Sequence, residues 1–122
     1  MKSLKVLVID DESVICGACD LVLTEKGHTV DYCKTGKTGL IAIERGTYDV
    51  ILLDMKLPDI DGMEVLKSVR EKMPAPYMIV MTGYSTMSNA VQAMKLGAAD
   101  YLSKPFTDDE LIEAVEKACA QQ

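Results

Sequence analysis

Apolar residues gather in five runs of strand length: LKVLVID (4–10), HTVDYC (28–33), DVILLD (49–54), YMIVMT (77–82) and DYLSK (100–104). Helix-period stretches separate them. Near 107–119, Leu111, Ala114, Val115, Ala118 and Cys119 recur at i, i+3, i+4, i+7 and i+8. Thr107 followed by Glu110 is a capping-box signature for the start of that helix. Near 86–96, Met87, Ala90, Val91 and Met94 form one stripe, with Gly97 as its C-cap. A further helix is expected over Ser13–Glu25. Strand alternating with helix predicts βαβ units and a parallel sheet covered on both faces, which accounts for the continuously apolar 50–53 and 78–81. No linker, low-complexity segment or repeat interrupts the pattern, so residues 1–122 are expected to form one domain.

In an open parallel sheet, ligands bind outside the carboxyl ends of the strands. The residues in those places are Asp10 and Asp11 after the first run, Asp54 after the third, Thr82 after the fourth and Lys104 after the fifth. Three carboxylates brought together repel, by roughly 4 kcal/mol per pair at about 4 Å and an effective dielectric of about 20. A hard divalent cation offsets this, and Mg²⁺ takes a few carboxylate oxygens while keeping its other positions for water or phosphate. Lys104 adds a mobile positive charge and Thr82 a hydroxyl donor. Such a set suits phosphoryl transfer, with Asp54 as nucleophile. Taken singly, each residue has a plainer explanation: Asp11 as a helix cap, Asp54 as turn punctuation, Thr82 as a β-branched strand residue, Lys104 as a solvated charge. Their joint placement at strand ends favours the chemical reading.

Composition narrows the field. The chain has 122 residues, 48% of them hydrophobic, enough for one sizeable core. A net charge of −6 offers no surface for neutralising phosphates, so direct nucleic-acid binding is not expected. No apolar stretch approaches the roughly 20 residues that span a bilayer, and the N-terminus meets two acids too early for a signal peptide. A cytoplasmic location without membrane contact is therefore expected. Cys16, Cys19, Cys33 and Cys119 are scattered among apolar neighbours, as reduced buried thiols are. Cys16 and Cys19 have a redox-like or zinc-like spacing, but no second pair or nearby histidine completes a site. The eight methionines are read as core fillers, any exposed ones making an adaptable binding surface, and His28, in a KGH turn, is assigned no chemistry.

VLVIDDES, LLDMKLPDIDGMEVL, MTGYS and GAADYLSKPF, in this order and spacing, resemble the receiver domain of two-component response regulators. The resemblance covers essentially the whole chain. It implies a flavodoxin-like (βα)₅ three-layer α/β sandwich with strand order 2-1-3-4-5, the order for which a member of this family serves as a standard illustration. It makes Asp54 the phosphoacceptor. It assigns Mg²⁺, or Mn²⁺ in its place, to Asp10, Asp11, Asp54 and the backbone carbonyl of Lys56, with Asp11 bound directly and Asp10 through water. It places Thr82 and Lys104 on the phosphoryl oxygens, Lys104–Pro105 as a cis peptide, and Tyr101 as a switch residue that turns inward when Thr82 moves. Gly83 leaves the approach to the phosphoryl group open.

The implied partners are a sensor histidine kinase or phosphotransfer protein and an output domain or effector, with homodimerisation on phosphorylation. The implied protein is a signalling phosphoacceptor, which catalyses its own phosphorylation and slow dephosphorylation, rather than a turnover enzyme. Phosphorylation is expected to remodel the 86–120 surface, and the face near Ile15 and Ala18 is the expected kinase dock. MTGYSTMSNAVQAMKLGAADYLSKPF further resembles receivers of nitrogen-regulation-type transcriptional activators. Lys56 and Tyr84 occupy positions that influence phosphate lifetime in the family.

Two other protein classes share part of this pattern. A haloacid-dehalogenase-like phosphohydrolase also uses a strand-end Asp, Mg²⁺, Thr and Lys, but its D-x-D signature meets Lys56 here instead of a second acid. A flavin- or nucleotide-binding module is disfavoured by the acidic crevice, the single Phe, the absence of Trp and the lack of a glycine-rich phosphate motif.

Overall fold

The structure, a computed structural model, describes residues 3–72, 75–83 and 87–120, with the backbone alone described at 87–90. Tyr84, the start of the 86–96 helix at Thr86 and the side chains of Met87 and Ala90 lie outside the described residues. The elements are β1 (Lys5–Ile9), α1 (Ser13–Glu25), β2 (Thr29–Cys33), α2 (Gly36–Arg45), β3 (Val50–Asp54), α3 (Gly62–Arg70), β4 (Tyr77–Thr82), α4 (Met87–Lys95), β5 (Asp100–Ser103) and α5 (Asp108–Ala120). The five strands form one parallel sheet in the order β2-β1-β3-β4-β5.

Strand alternation divides the core in two. Val6, Val8, Val50, Leu52, Ile79, Met81 and Leu102 point to the side covered by α1 and α5, against Cys19, Leu23, Leu111 and Val115. Leu7, Ile9, Ile51, Leu53, Met78 and Val80 point to the other side, against Ile43 of α2, Val65, Leu66 and Val69 of α3 and Ala93 of α4. Both faces are dry, which is why the central strands read as unbroken apolar runs.

The helix starts follow local chemistry. Thr107 and Glu110 close the expected capping box, with Glu110 N–H donating to Thr107 Oγ1 at 3.1 Å and Thr107 N–H to Glu110 Oε1 at 3.0 Å. Thr35 caps α2 and Asp61 caps α3. Asp11 is not the cap of α1; Glu12 stands there without a side-chain cap bond, so the plain reading of Asp11 as a cap fails.

Three sequence expectations are corrected. At the described positions of the α4 stripe, Val91 and Met94 are exposed, while Ala93 is buried against the sheet. Alanine lets the helix approach closely, and that small contact outweighs the larger but outward-facing side chains. Met94 is therefore no core filler, whereas Met78 and Met81 are. His28 is far from inert. It is buried, its Nδ1 accepts the Leu4 N–H at 3.1 Å, and its Nε2 lies 3.5 Å from Glu116 Oε2, joining the starts of β1 and β2 to α5.

The start of α3 is sterically committed. A Cβ on Gly62 would lie 2.6 Å from Met55 Cα and 2.9 Å from the Asp54 carbonyl oxygen, both backbone atoms with nowhere to move. Gly62→Ala is expected to cost stability at the upper end of the roughly 1–3 kcal/mol typical of overpacking. Urea unfolding checks this; a loss within experimental error of zero would show that the junction can shift.

Candidate functional site

Asp10 directly follows β1 and Asp54 ends β3, on neighbouring strands in register at Ile9 and Leu53. Asp10, Asp54 and Lys104, each at or just past the carboxyl end of its strand, bring their side chains together there. Lys104 Nζ lies 2.7 Å from Asp10 Oδ2, 3.4 Å from Asp54 Oδ2 and 4.0 Å from Glu12 Oε1. Asp10 is fully buried and Asp54 nearly so, while Asp11 is exposed. The remaining oxygens are anchored by backbone. Glu12 N–H donates to Asp10 Oδ1 at 2.8 Å and Lys56 N–H to Asp54 Oδ1 at 3.1 Å.

Burial pushes the Asp54 carboxyl above its ordinary value. The Lys56 N–H and Lys104 oppose that rise, and the charge of Asp10 adds to it. For Lys104, burial alone would lower the ammonium. The hydrogen bond to Asp10 and the charges of Asp54, Asp10 and Glu12 outweigh it, so the group stays above its ordinary value. Lys104 thus remains charged at neutral pH against an excess of carboxylate.

One carboxylate oxygen each from Asp10, Asp11 and Asp54 lie within 4.8 Å of one another. These are hard donors, partly desolvated and carrying more negative charge than Lys104 neutralises, a set that fits a hard divalent cation. Thr82 is half-buried at the end of β4, next to β5, where Lys104 N–H donates to the Thr82 carbonyl at 2.8 Å. Lys104–Pro105 is cis, as the resemblance implied. Gly83 faces open space where a Cβ would stand. Tyr101 is 40% exposed, so its ring is turned outward.

The cysteines keep only part of their plain reading: Cys16 and Cys19 are buried, while Cys33 and Cys119 are partly exposed. All four are free. Burial first, then the charge of Asp10, pushes the Cys16 thiol up to about 11. Burial pushes Cys19 up to about 12. Thiols held protonated are poor nucleophiles and poor redox centres. Sequence reasoning missed Glu12, Asp59 and Asp61. Glu12 had a signal, since it follows the acidic pair directly, and Asp61 stands immediately before a helix as an N-cap should.

On α1, Val14 and Leu21 are 81% and 65% exposed, and Gly17 and Ala18 between them are exposed as well. Among the described residues, no helix is long and apolar enough to cross a membrane.

Comparison with known proteins agrees with this geometry. The family profile of the response regulator receiver domain matches residues 6–116. The transcriptional regulatory protein DltR of Streptococcus agalactiae is 40% identical over 112 residues, covering 92% of this chain and 50% of that protein. ZraR of Escherichia coli is 34% identical over 118 residues, covering 97% of this chain and 27% of that protein. The chain therefore spans half or less of the length of these curated relatives. Among solved structures, a CheY-like receiver domain from Methanospirillum hungatei superposes with a TM-score of 0.91 at 31% identity, covering 98% of this chain and 97% of that one. NtrX from Brucella abortus superposes with a TM-score of 0.92 at 28% identity, over 98% of this chain and 28% of that one. These relatives are regulators rather than phosphohydrolases, which sets the haloacid-dehalogenase alternative aside. With the five-stranded order, the strand-end acids and the profile spanning nearly the whole chain in agreement, this chain belongs to the response regulator receiver family.

Proposed function

We propose that this receiver takes a phosphoryl group onto Asp54 from a phosphohistidine on a sensor kinase or phosphotransfer protein, with Mg²⁺ or Mn²⁺ held by Asp10, Asp11, Asp54 and the Lys56 carbonyl. The observation that carries the reading is the convergence of three carboxylates and Lys104 at the carboxyl end of the sheet. An Asp54 oxygen forms the new O–P bond as the P–N bond of the donor breaks, and the imidazole leaves with the bonding electron pair. A cation held by these residues would supply charge neutralisation for the phosphoryl oxygens and the carboxylates. Lys104, already poised 3.4 Å from Asp54, pairs with the added phosphoryl group, and Thr82 donates its hydroxyl to it. Burial of Asp54 keeps bulk water away, while the open space at Gly83 leaves room for the donor.

Signalling follows as a shift between two populations. Drawing Thr82 toward the phosphoryl group favours the inward position of Tyr101, and Val91, Met94 and Tyr101 supply exposed apolar surface on α4 and β5 for an effector or a second copy. The exposed α1 face beside the acidic pair suits the kinase or phosphotransfer partner. The curated relatives are transcriptional regulatory proteins that extend beyond the part this chain matches, and with the resemblance to nitrogen-regulation-type activators this makes transcription control the favoured output.

Intact mass and peptide mapping after incubation with acetyl phosphate and Mg²⁺ test the reading. One phosphoryl group on the peptide containing Asp54, absent with chelator, is the expected result. No modification from either acetyl phosphate or a phosphohistidine donor would overturn it. Ile15→Lys is expected to slow transfer from the protein donor and leave acetyl phosphate uptake unchanged, and transfer from the protein donor at the wild-type rate would count against the α1 dock.

A further inference from the structure

We propose that Asp59 is a positioning residue for cation binding: it ties the segment carrying Lys56 to the start of α2. This rests on the reading of Asp54 and its neighbours as a cation-assisted phosphoacceptor site.

Residues 55–61 leave β3 at Asp54 and enter α3 at Gly62. Two attachments are local. Lys56 N–H donates to Asp54 Oδ1, and the Lys56 backbone forms a single antiparallel bridge with Asp61, which caps α3 through the Met63 N–H at 2.9 Å. The third attachment is distant in sequence. Asp59 Oδ1 accepts the Gly36 N–H at 2.8 Å and Oδ2 accepts the Lys37 N–H at 2.9 Å. These are first-turn amides without acceptors inside their own helix, and a carboxylate there also meets the positive end of the helix dipole. The Lys37 amide above all, with the Gly36 amide assisting, holds the Asp59 carboxyl below its ordinary range.

The Gly36 backbone lies close against the Ile60 and Asp59 side chains. A Cβ on Gly36 would overlap Ile60 Cγ1, and would stand 2.7 Å from Ile60 Cδ1 and 3.3 Å from Asp59 Oδ1. The two aspartates of DIDG thus cap two different helices, and the segment is stretched between them with Lys56 on its inner rung. The Asp59 carboxylate reaches α2 through the Gly36 and Lys37 amides, neither of which is a candidate cation ligand. Without it the segment keeps its ends but loses its link to α2, so binding a cation through the Lys56 carbonyl must also order the loop.

The test titrates Mg²⁺ into wild-type protein, Asp59→Ala, Asp59→Asn and Gly36→Ala, following backbone amide shifts by NMR. Urea stability and acetyl phosphate uptake are measured on the same samples. Asp59→Ala is expected to weaken Mg²⁺ binding about tenfold, the lower end of what partners that orient metal ligands contribute. Its phosphorylation rate at saturating Mg²⁺ should stay within about twofold, as expected when binding rather than the chemical step is altered. Asp59→Asn, keeping one acceptor oxygen, should fall between, and Gly36→Ala should reproduce the weakening from the α2 side. Val115→Ala, buried under α5 on the other face, should lose stability without moving Mg²⁺ affinity. Wild-type affinity in Asp59→Ala and Gly36→Ala, or an equal loss in Val115→Ala, would overturn the inference and leave the site standing. A wild-type protein with no Mg²⁺-dependent shifts would take down the site reading and this inference with it.

Discussion

Asp54→Asn is expected to abolish phosphoryl uptake and, in metal-free buffer at neutral pH, to raise stability by about 1–2 kcal/mol, a fraction of the repulsion it relieves. Asp54 sits among two like charges and one opposite one, in a place already costly for a carboxylate. At separations of about 4–5 Å each carboxylate pair repels by roughly 3–4 kcal/mol at an effective dielectric of about 20, and Lys104 answers only part of that. Asparagine removes the charge and keeps an oxygen to accept the Lys56 N–H.

The pH dependence gives the sign. Because the folded-state pKa of Asp54 lies above its ordinary value of 3.8, the folded protein binds this proton more tightly than the unfolded chain. The stability penalty is absent at pH values well below 3.8, grows as pH rises from there through the folded-state value, and is complete above it. The advantage of Asp54→Asn should follow the same course and shrink when Mg²⁺ supplies the missing positive charge. Urea unfolding of both proteins across pH, with chelator and with Mg²⁺, measures it. A variant less stable than wild type in chelator at neutral pH would mean that the Lys104 pairing outweighs the repulsion.

Most of the fold was legible because burial on both faces left a continuous apolar signature on 50–53 and 78–81, and because strand ends in a parallel sheet are few. The same logic placed Asp10, Asp11, Asp54, Thr82 and Lys104 before any geometry was known. The misreadings share a cause. Asp59 meets residues 22 and 23 positions earlier, and His28 meets Leu4 across 24 positions. Turn chemistry says that an Asp or His will find a backbone partner without saying which one. On α4, hydrophobic size pointed to Val91 and Met94, but the contact with the sheet was made by Ala93, whose small side chain leaves almost no periodic signal.

Lys104→Met should give the opposite stability result to Asp54→Asn and a larger cation effect. Nζ contacts Asp10 at 2.7 Å and Asp54 at 3.4 Å from a side chain only 12% exposed, so its loss leaves two buried carboxylates facing each other. Removing one member of such an arrangement costs about 3 kcal/mol, the lower end of the range for breaking buried pairs, since the Lys104 side chain itself is partly exposed. Lys104 is held above its ordinary 10.5, so its contribution is complete below that value and fades only as pH rises through the folded-state pKa. The deficit should therefore be flat across neutral pH. A cation is the natural replacement. With the competing ammonium gone, Mg²⁺ should bind the three carboxylates more tightly than in wild type, and a ligand at about 100 times its Kd adds about 2.7 kcal/mol. Mg²⁺ should thus restore most of the lost stability, while the altered α4 and β5 amide shifts that follow phosphorylation of wild type disappear. Urea unfolding with and without Mg²⁺, beside NMR of the phosphorylated protein, separates these effects. An equal deficit with and without Mg²⁺ would show that Lys104 and the cation do not answer the same charge, and the electrostatic account of the site would fail at its centre.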